Sequence, residues 1–302
     1  MPVLYWTADG AGKVGDVPKA LFKWMRAHGS PELIVYGGDV YNHGKPKEFD
    51  RFLVQVGGDV SELCETAGNH DWHTTSESLD TGEIPIGYEQ FWSQFQPPAS
   101  QQPIDKSKRG GARYEHFHDL AGWRLIFLDT GPCEDNPWPM GDNQRIEWLT
   151  ETVRSGAGRN QIVFAHHSRL SFGKHGDNSS IDQLWRSLFE PVTNKPLVAL
   201  TLAGHDHNVS VYGPRPLESP ETRSVSFDQG IHIIVNGAGG LGHDTGFRGT
   251  KPDLFFDDDH FCITRINLHN DRSADVDILS FGKNDPPTKS EPDVLMTLPI
   301  RL

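Results

Sequence analysis

The sequence predicts an α/β protein with more than one sheet, and three observations carry that reading. Short apolar runs of strand length recur along the chain, and amphipathic helical segments separate the early ones. The runs end on glycine, aspartate or histidine instead of on simple turns. The last part of the chain is strand-like without helices between, which predicts late antiparallel strands.

The elements follow in order. VLYWT opens the chain as a buried strand that runs into Asp9 and Gly10. VPKALFKWMRAHG (17–29) spaces Leu21, Trp24 and Met25 at helical intervals and stops at Gly29. LIVYGGD (33–39) is a continuous apolar run ending in Gly-Gly-Asp. PKEFDRFLVQVGG (46–58) reads as a helix closed by Gly57. WRLIFLDTG (123–131) is a further apolar strand. DNQRIEWLTETVRSG (142–156) offers Asp142 as an N-cap and sets Ile146 and Leu149 on one face. QIVFAHH (161–167), PLVALTLAGHDH (196–207) and IHIIVNGAGG (231–240) are buried-strand patterns with polar or glycine ends. Residues 260–281 read as a hairpin about Asn270 and Asp271. Residues 72–113 are polar, rich in Pro and Ser and weakly periodic. They are expected to be an insertion, with one short helix at YEQFWSQF, in a single domain spanning 1–302.

Composition narrows the function. At 302 residues and 36% hydrophobic, the chain can bury a full core and is not a disordered protein. No apolar run reaches membrane-spanning length, and the start lacks the basic–apolar–small order of a signal peptide. The expected compartment is the cytoplasm, with no membrane partner. Cys64, Cys133 and Cys262 are an odd count without a CxxC pair, which argues against a disulfide framework and against a thiolate zinc site, so they are expected to be reduced packing residues. A formal net charge of −13 disfavours nucleic acid as a partner. The basic cluster Lys106, Lys108, Arg109 and Arg113 reads as a solvated loop, or else as a guide for an anionic substrate.

The chemistry stands at the strand ends: Asp9, Asp39, GNHD (68–71), HH (166–167) and GHDH (204–207). All are oxygen or imidazole donors, a set that suits Zn, Fe, Mn or Co. Glycine beside Asp9 and Asp39 and at the head of GNHD and GHDH lets backbone approach closely. Alternation along an extended segment sets His205 and His207 on one side, able to serve neighbouring ions, and sends the rings of His166 and His167 to opposite faces.

GGDVYNHG, AGNHDW, VFAHH and LAGHDH, in this order, resemble the blocks of the calcineurin-like metallophosphoesterases, and LIFLDTG…DNQRIEWL and IIVNGAGG resemble segments of their phosphatase-like branch. The likeness spans most of the chain outside 72–113. It implies a four-layer α/β/β/α sandwich of two mixed sheets with a dinuclear metal site at the strand ends. By position, Asp39 bridges the two ions, Asp9 and His207 hold one, and Asn69, His166 and His205 hold the other. The resemblance makes His70 the acid or charge stabiliser beside the metals and Asp71 the residue that orients its ring. Two cations about 3.5–4 Å apart neutralise phosphoryl oxygens and make hydroxide available near neutral pH. An imidazole at the leaving oxygen typically adds about 10²–10⁴-fold.

The resemblance therefore implies a hydrolase acting on a small phosphomonoester or phosphodiester; the alternative is a non-catalytic protein that keeps the fold as a scaffold. Asp59 repeats the GGDV pattern after a helix and reads as a turn residue. His243 repeats GHD in a Gly-rich loop and reads as a loop residue or substrate contact. His167 is expected to flank the site. His28, His116, His118, His232, His260 and His269 read as structural or surface residues, and Trp6, Trp24, Trp148 and Trp185 as packing residues. The chain departs from many relatives at Ala11, where Asp-x-His would place a histidine. It departs from purple acid phosphatases at Asn42, where they carry tyrosine. Tyr41 and His43 are the candidates to complete the coordination of the Asp9 ion, and an asymmetric site with one looser ion is expected. Specificity is expected from 72–113, 131–143 and 169–180.

Overall fold

The computed structural model describes residues 1–10, 16–28, 31–40, 46–57, 63–72, 115–131, 143–156, 158–243, 245–283 and 291–301. Trp72, the first residue of the expected insertion, ends a short helix; the rest of that segment lies outside the described residues, as do Ala11, Tyr41, His43, Asp59, Cys133 and Asp142. The described elements of the first half are β1 (Val3–Thr7), α1 (Val17–Ala27), β2 (Leu33–Tyr36), α2 (Pro46–Val56), β3 (Leu63–Glu65), α3 (Asn69–Trp72), β4 (His116–Leu120), β5 (Trp123–Leu128), α4 (Asn143–Ser155) and β6 (Asn160–Ala165). They continue as β7 (Phe172–Gly173), α5 (Asp182–Ser187), β8 (Leu200–Ala203), β9 (Val209–Arg215), β10 (Ile231–Asn236), β11 (Arg248–Gly249), β12 (Phe255–Asp257), β13 (Cys262–Leu268), β14 (Ala274–Ser280) and β15 (Asp293–Ile300).

Two large mixed sheets form. One has the order β15-β14-β13-β1-β2-β3, the other β12-β9-β10-β8-β6-β5-β4; β11 and β7 make a small ribbon. β1 is interior, parallel to β2 and antiparallel to β13. The late hairpin is β13–β14, closed over Asn270 and Asp271.

Alternation along β1 sorts its side chains into layers. Leu4 and Trp6 enter an apolar layer shared with Phe127, Phe164 and Leu202 of the second sheet. Trp6 stacks on Phe164 with centroids 5.7 Å apart, and its indole N–H donates to the Asn236 carbonyl at 3.1 Å. Truncating such a residue costs about 3–5 kcal/mol. Tyr5 faces the other way, into a layer with Leu21, Phe22 and Met25 of α1 and Phe49 and Phe52 of α2. The second sheet is covered likewise: Ile126, Val163 and Ile233 pack on Leu149 and Val153 of α4 and Leu184 and Trp185 of α5. This is the expected α/β/β/α order, and Trp6, Trp24 and Trp185 are buried packing residues. Cys64 and Cys262 are free and buried.

The loops that leave the strand ends hold one another. Gly37 N–H donates to the Thr7 carbonyl at 2.8 Å, Thr66 N–H to Tyr36 at 3.0 Å, and Gly204 N–H to His166 at 3.0 Å. Across the sheets, the His205 N–H meets Asp9 Oδ2 at 2.9 Å and His166 Nδ1 meets the Gly37 carbonyl at 2.7 Å, so the ends of β1, β2, β6 and β8 come together.

Candidate metal centre

Asp9, Asp39 and His205 follow β1, β2 and β8 in the left-handed region, with φ of 59°, 59° and 69°. Such backbone costs of order 1–3 kcal/mol at a non-glycine residue and persists only where the surroundings impose it. Here hydrogen bonds do so. Asp9 Oδ2 accepts from His205 N–H at 2.9 Å, and Asp39 Oδ1 accepts from His70 N–H at 3.1 Å. Asp71 Oδ2 accepts from both Asp39 N–H and Gly68 N–H, each at 2.8 Å.

Two glycines let the loops close this far. A Cβ at Gly68 would lie 2.2 Å from Asp39 Oδ1, and one at Gly38 would lie 2.6 Å from His166 Nδ1. Gly38 also has φ +96°.

His166 is the hub. Its Nδ1 lies 2.7 Å from the Gly37 carbonyl, which only accepts, so Nδ1 carries the proton and Nε2 presents its lone pair. That lone pair faces Asn69 Oδ1 at 3.1 Å, Asp39 Oδ1 at 3.5 Å and Asp9 Oδ1 at 4.0 Å. His207 Nε2 lies 3.8 Å from the same Asp9 oxygen, and His70 Nε2 lies 3.9 Å from Asp39 Oδ2. Asp9, Asp39 and His166 are essentially inaccessible, at 0%, 2% and 0%. Acceptors converging on one buried volume repel and are poorly hydrated, and a cation resolves both costs. The donor set fits a metal ion: Asp9, Asp39 and His166 each offer an atom within 4.8 Å of the others.

Two expectations are corrected. The rings of His166 and His167 do not part to opposite faces, because β6 ends at Ala165 and strand alternation no longer governs them. Their centroids are 4.9 Å apart, and His166, His167 and His205 form a second set with donor atoms within 4.8 Å. Nor do His205 and His207 share an extended segment. β8 ends at Ala203, and the left-handed His205 turns the chain so that its ring meets His166 while His207 reaches Asp9.

Thr130, after β5, aligns the histidine pair. Its Oγ1 accepts from the N–H groups of His166 and His167 at 3.1 and 3.0 Å. His243 stands apart, its ring 5.1 Å from that of Phe261, and neither ring nitrogen has a hydrogen-bond partner among the described residues.

Sequence reasoning places His175 only within the 169–180 segment expected to carry specificity, not among the donors. It follows β7, a two-residue strand too short to give a periodic signal, and lies between Gly173 and Gly176. Its ring is 4.0 Å from that of His205. The loop is anchored by Asp206, which accepts from His175 N–H at 2.9 Å and from the Ser171 hydroxyl. Burial and the neighbouring rings of His167, His166, His175 and His207 hold the His205 pKa well below its usual value. A neutral imidazole is the metal-binding form. Beside this cluster opens a cavity of about 230 Å³ lined by His167, Ser171, His175, Asn178, His205 and Arg248, on the scale of a small ester.

Residues 16–209 match the family model described as calcineurin-like phosphoesterase. The chain belongs to this family. It is accordingly a hydrolase of phosphoester bonds in a metal-dependent family. Among curated proteins it is 23% identical over 222 residues to a 3′,5′-cyclic adenosine monophosphate phosphodiesterase of Pseudomonas aeruginosa, covering 71% of each chain. It is 24% identical over 181 residues to a glycerophosphodiester phosphodiesterase of Enterobacter lignolyticus, covering 60% of this chain and 58% of that one. Its fold matches a purple acid phosphatase from yellow lupin (Lupinus luteus) seeds with a TM-score of 0.68 and 15% identity, over 99% of this chain and 53% of that one. It matches PhoD with a TM-score of 0.65 and 10% identity, over 99% of this chain and 72% of that one. The calcineurin-like chain thus spans about half the length of the lupin phosphatase. No helix among its described residues is long and apolar enough to cross a membrane.

Proposed function

We propose that this calcineurin-like phosphoesterase hydrolyses a small phosphomonoester or phosphodiester at a dinuclear centre. The observation that carries the reading is the convergence on His166 Nε2 of Asn69, Asp39 and Asp9 oxygens at 3.1, 3.5 and 4.0 Å, with His207 Nε2 3.8 Å from the same Asp9 oxygen. By the family resemblance, Asp39 would bridge. Asp9 and His207 would hold one ion; Asn69, His166 and His205 would hold the other, with His167 beside it. When bound, the two cations neutralise phosphoryl oxygens and make hydroxide available near neutral pH.

The chain's own residues do the rest. His70 is 39% exposed and lies 3.9 Å from Asp39, and it would give a proton to the leaving oxygen. The Arg248 guanidinium stands at the cavity rim and complements an anionic substrate. The roughly 230 Å³ volume accepts a phosphate with a small alcohol group far better than a polymer strand.

The test is a screen of generic mono- and diesters with Mn, Fe, Zn or Co loaded, run beside Asp39→Asn and His70→Ala. Turnover that needs metal and is lost in Asp39→Asn is the expected result. Activity unchanged in Asp39→Asn would sink the bridged two-metal centre. No turnover with any metal would favour the scaffold reading.

A further inference from the structure

We infer that Cys64, His116 and His118 form a separate site for a thiophilic divalent cation such as zinc, clasping the outer strands of the two sheets. It shares no residue with the proposed phosphoesterase centre.

The placement comes from the two sheet edges. Cys64 is the middle residue of β3, the last strand of the first sheet, and its side chain lies in the layer between the sheets. His116 and His118 are on β4, the last strand of the second sheet, two residues apart and so on one face. In register they pair with Phe127 and Leu125, which face the same intersheet layer. The sulfur and one nitrogen of each imidazole lie within 4.8 Å of one another.

The residue choice is unusual for packing alone. Phe117, between the two histidines, turns outward and packs with the layer of Ile126 and Val163. β4 therefore sends its imidazoles toward an apolar intersheet layer and its phenyl ring away from it. A strand on such a layer ordinarily presents aliphatic or aromatic residues, and a pattern broken in this way marks a position chosen for another task.

Phe127 holds both rings. His116 stacks flat on it with centroids 4.6 Å apart, and His118 meets it edge-on at 5.9 Å. One thiolate and two neutral imidazoles are zinc ligands, with bonds of about 2.3 Å to sulfur and about 2.0–2.1 Å to nitrogen. Ligand atoms of a tetrahedral ion sit about 3.5 Å apart, so a pair at the 4.8 Å limit must close by about 1.3 Å and nearer pairs by less. His118 is half-buried, which leaves water access to the fourth position. On binding, the Cys64 S–H bond gives way to an S–metal bond, and the proton passes to solvent.

The test uses the full chain stripped of metal by chelation and titrated with Co(II). The proposed phosphoesterase ligands contain no sulfur, so they give only weak visible bands. A thiolate ligand adds an intense near-ultraviolet charge-transfer band. Wild type is expected to develop that band and saturate it once cobalt fills both this site and the proposed phosphoesterase centre, with one bound cobalt more than Cys64→Ser. Cys64→Ser is expected to abolish it and bind one cobalt fewer, and His118→Ala is expected to lose it as well. Absence of the band in wild type, or its survival in either variant, would overturn the site. Should the variants fail to fold, as read by far-ultraviolet circular dichroism of the metal-free proteins, the measurement is alkylation of Cys64 in wild type, followed by peptide mapping. Zinc should slow that reaction, and an unchanged rate would overturn the proposal.

Discussion

Asp71 is where a single substitution should report most directly on how the proposed centre is held. Its buried carboxylate takes two backbone N–H groups on one oxygen, from Asp39 and Gly68, each at 2.8 Å. Asp71→Ala leaves both amides unsatisfied. Hydrogen bonds to a charged acceptor contribute about 1.5–3 kcal/mol each, so the pair is worth about 3–6 kcal/mol, and entering water recovers part of it. Domains are stable by about 5–15 kcal/mol in all, so the variant should still fold, with its unfolding free energy reduced by about 3 kcal/mol. The freed amides belong to the turns that aim Asp39 and Asn69. Metal affinity should therefore fall by about 10–100-fold, the usual effect of removing a partner that orients a ligand. Asp71→Asn keeps an oxygen acceptor and should lose less than half as much. Denaturant unfolding of the metal-free protein and competition against a chromophoric chelator give the two numbers. Unchanged stability and affinity in Asp71→Ala would refute the reasoning. A change confined to the pH profile of turnover would instead favour the role that the family resemblance implies for Asp71, that of orienting the His70 ring.

Three further outcomes are expected. His175→Ala should lower turnover by at least tenfold while leaving the fold intact, because its ring abuts His205 at the cavity; steady-state kinetics beside circular dichroism checks this. Burial lowers the His232 pKa to about 4, so between pH 6.5 and 4 the unfolded chain takes up a proton that the folded chain refuses. Stability of the metal-free protein should fall as pH drops through that window, and His232→Gln should flatten the slope in denaturant unfolding. Metal titration of Cys64→Ser, which lacks the further site inferred above, should resolve one tight and one looser ion, and an iron-loaded sample should lack a strong tyrosinate–iron band; two equally tight ions would count against the asymmetry.

The layers of the fold were legible because apolar spacing reports burial whatever the element touches. Leu21, Trp24 and Met25 fall inside the first apolar cluster, where their helical spacing places them. Asp9, Asp39, Asn69, His166, His205 and His207 were legible as donors at strand ends, four of them beside glycine, and the described geometry gathers all of them. Strand alternation failed at His166–His167 and at His205–His207 for one reason. Both pairs lie just past a strand terminus, where turn conformation, and not the pleat, sets direction.

By itself the sequence determined which residues are buried, in what order the elements come, and which donors stand at their ends. Those properties are local, written in side-chain hydrophobicity and in glycine placement. The tertiary structure alone decided which donors meet. His175 joins His205 because Asp206 pins its loop, and His167 joins the cluster because Thr130 turns the pair. Cys64 faces His116 and His118 because two sheets pack edge over edge. Contacts of this kind join positions far apart in the chain, and no local pattern encodes the angle at which two sheets close.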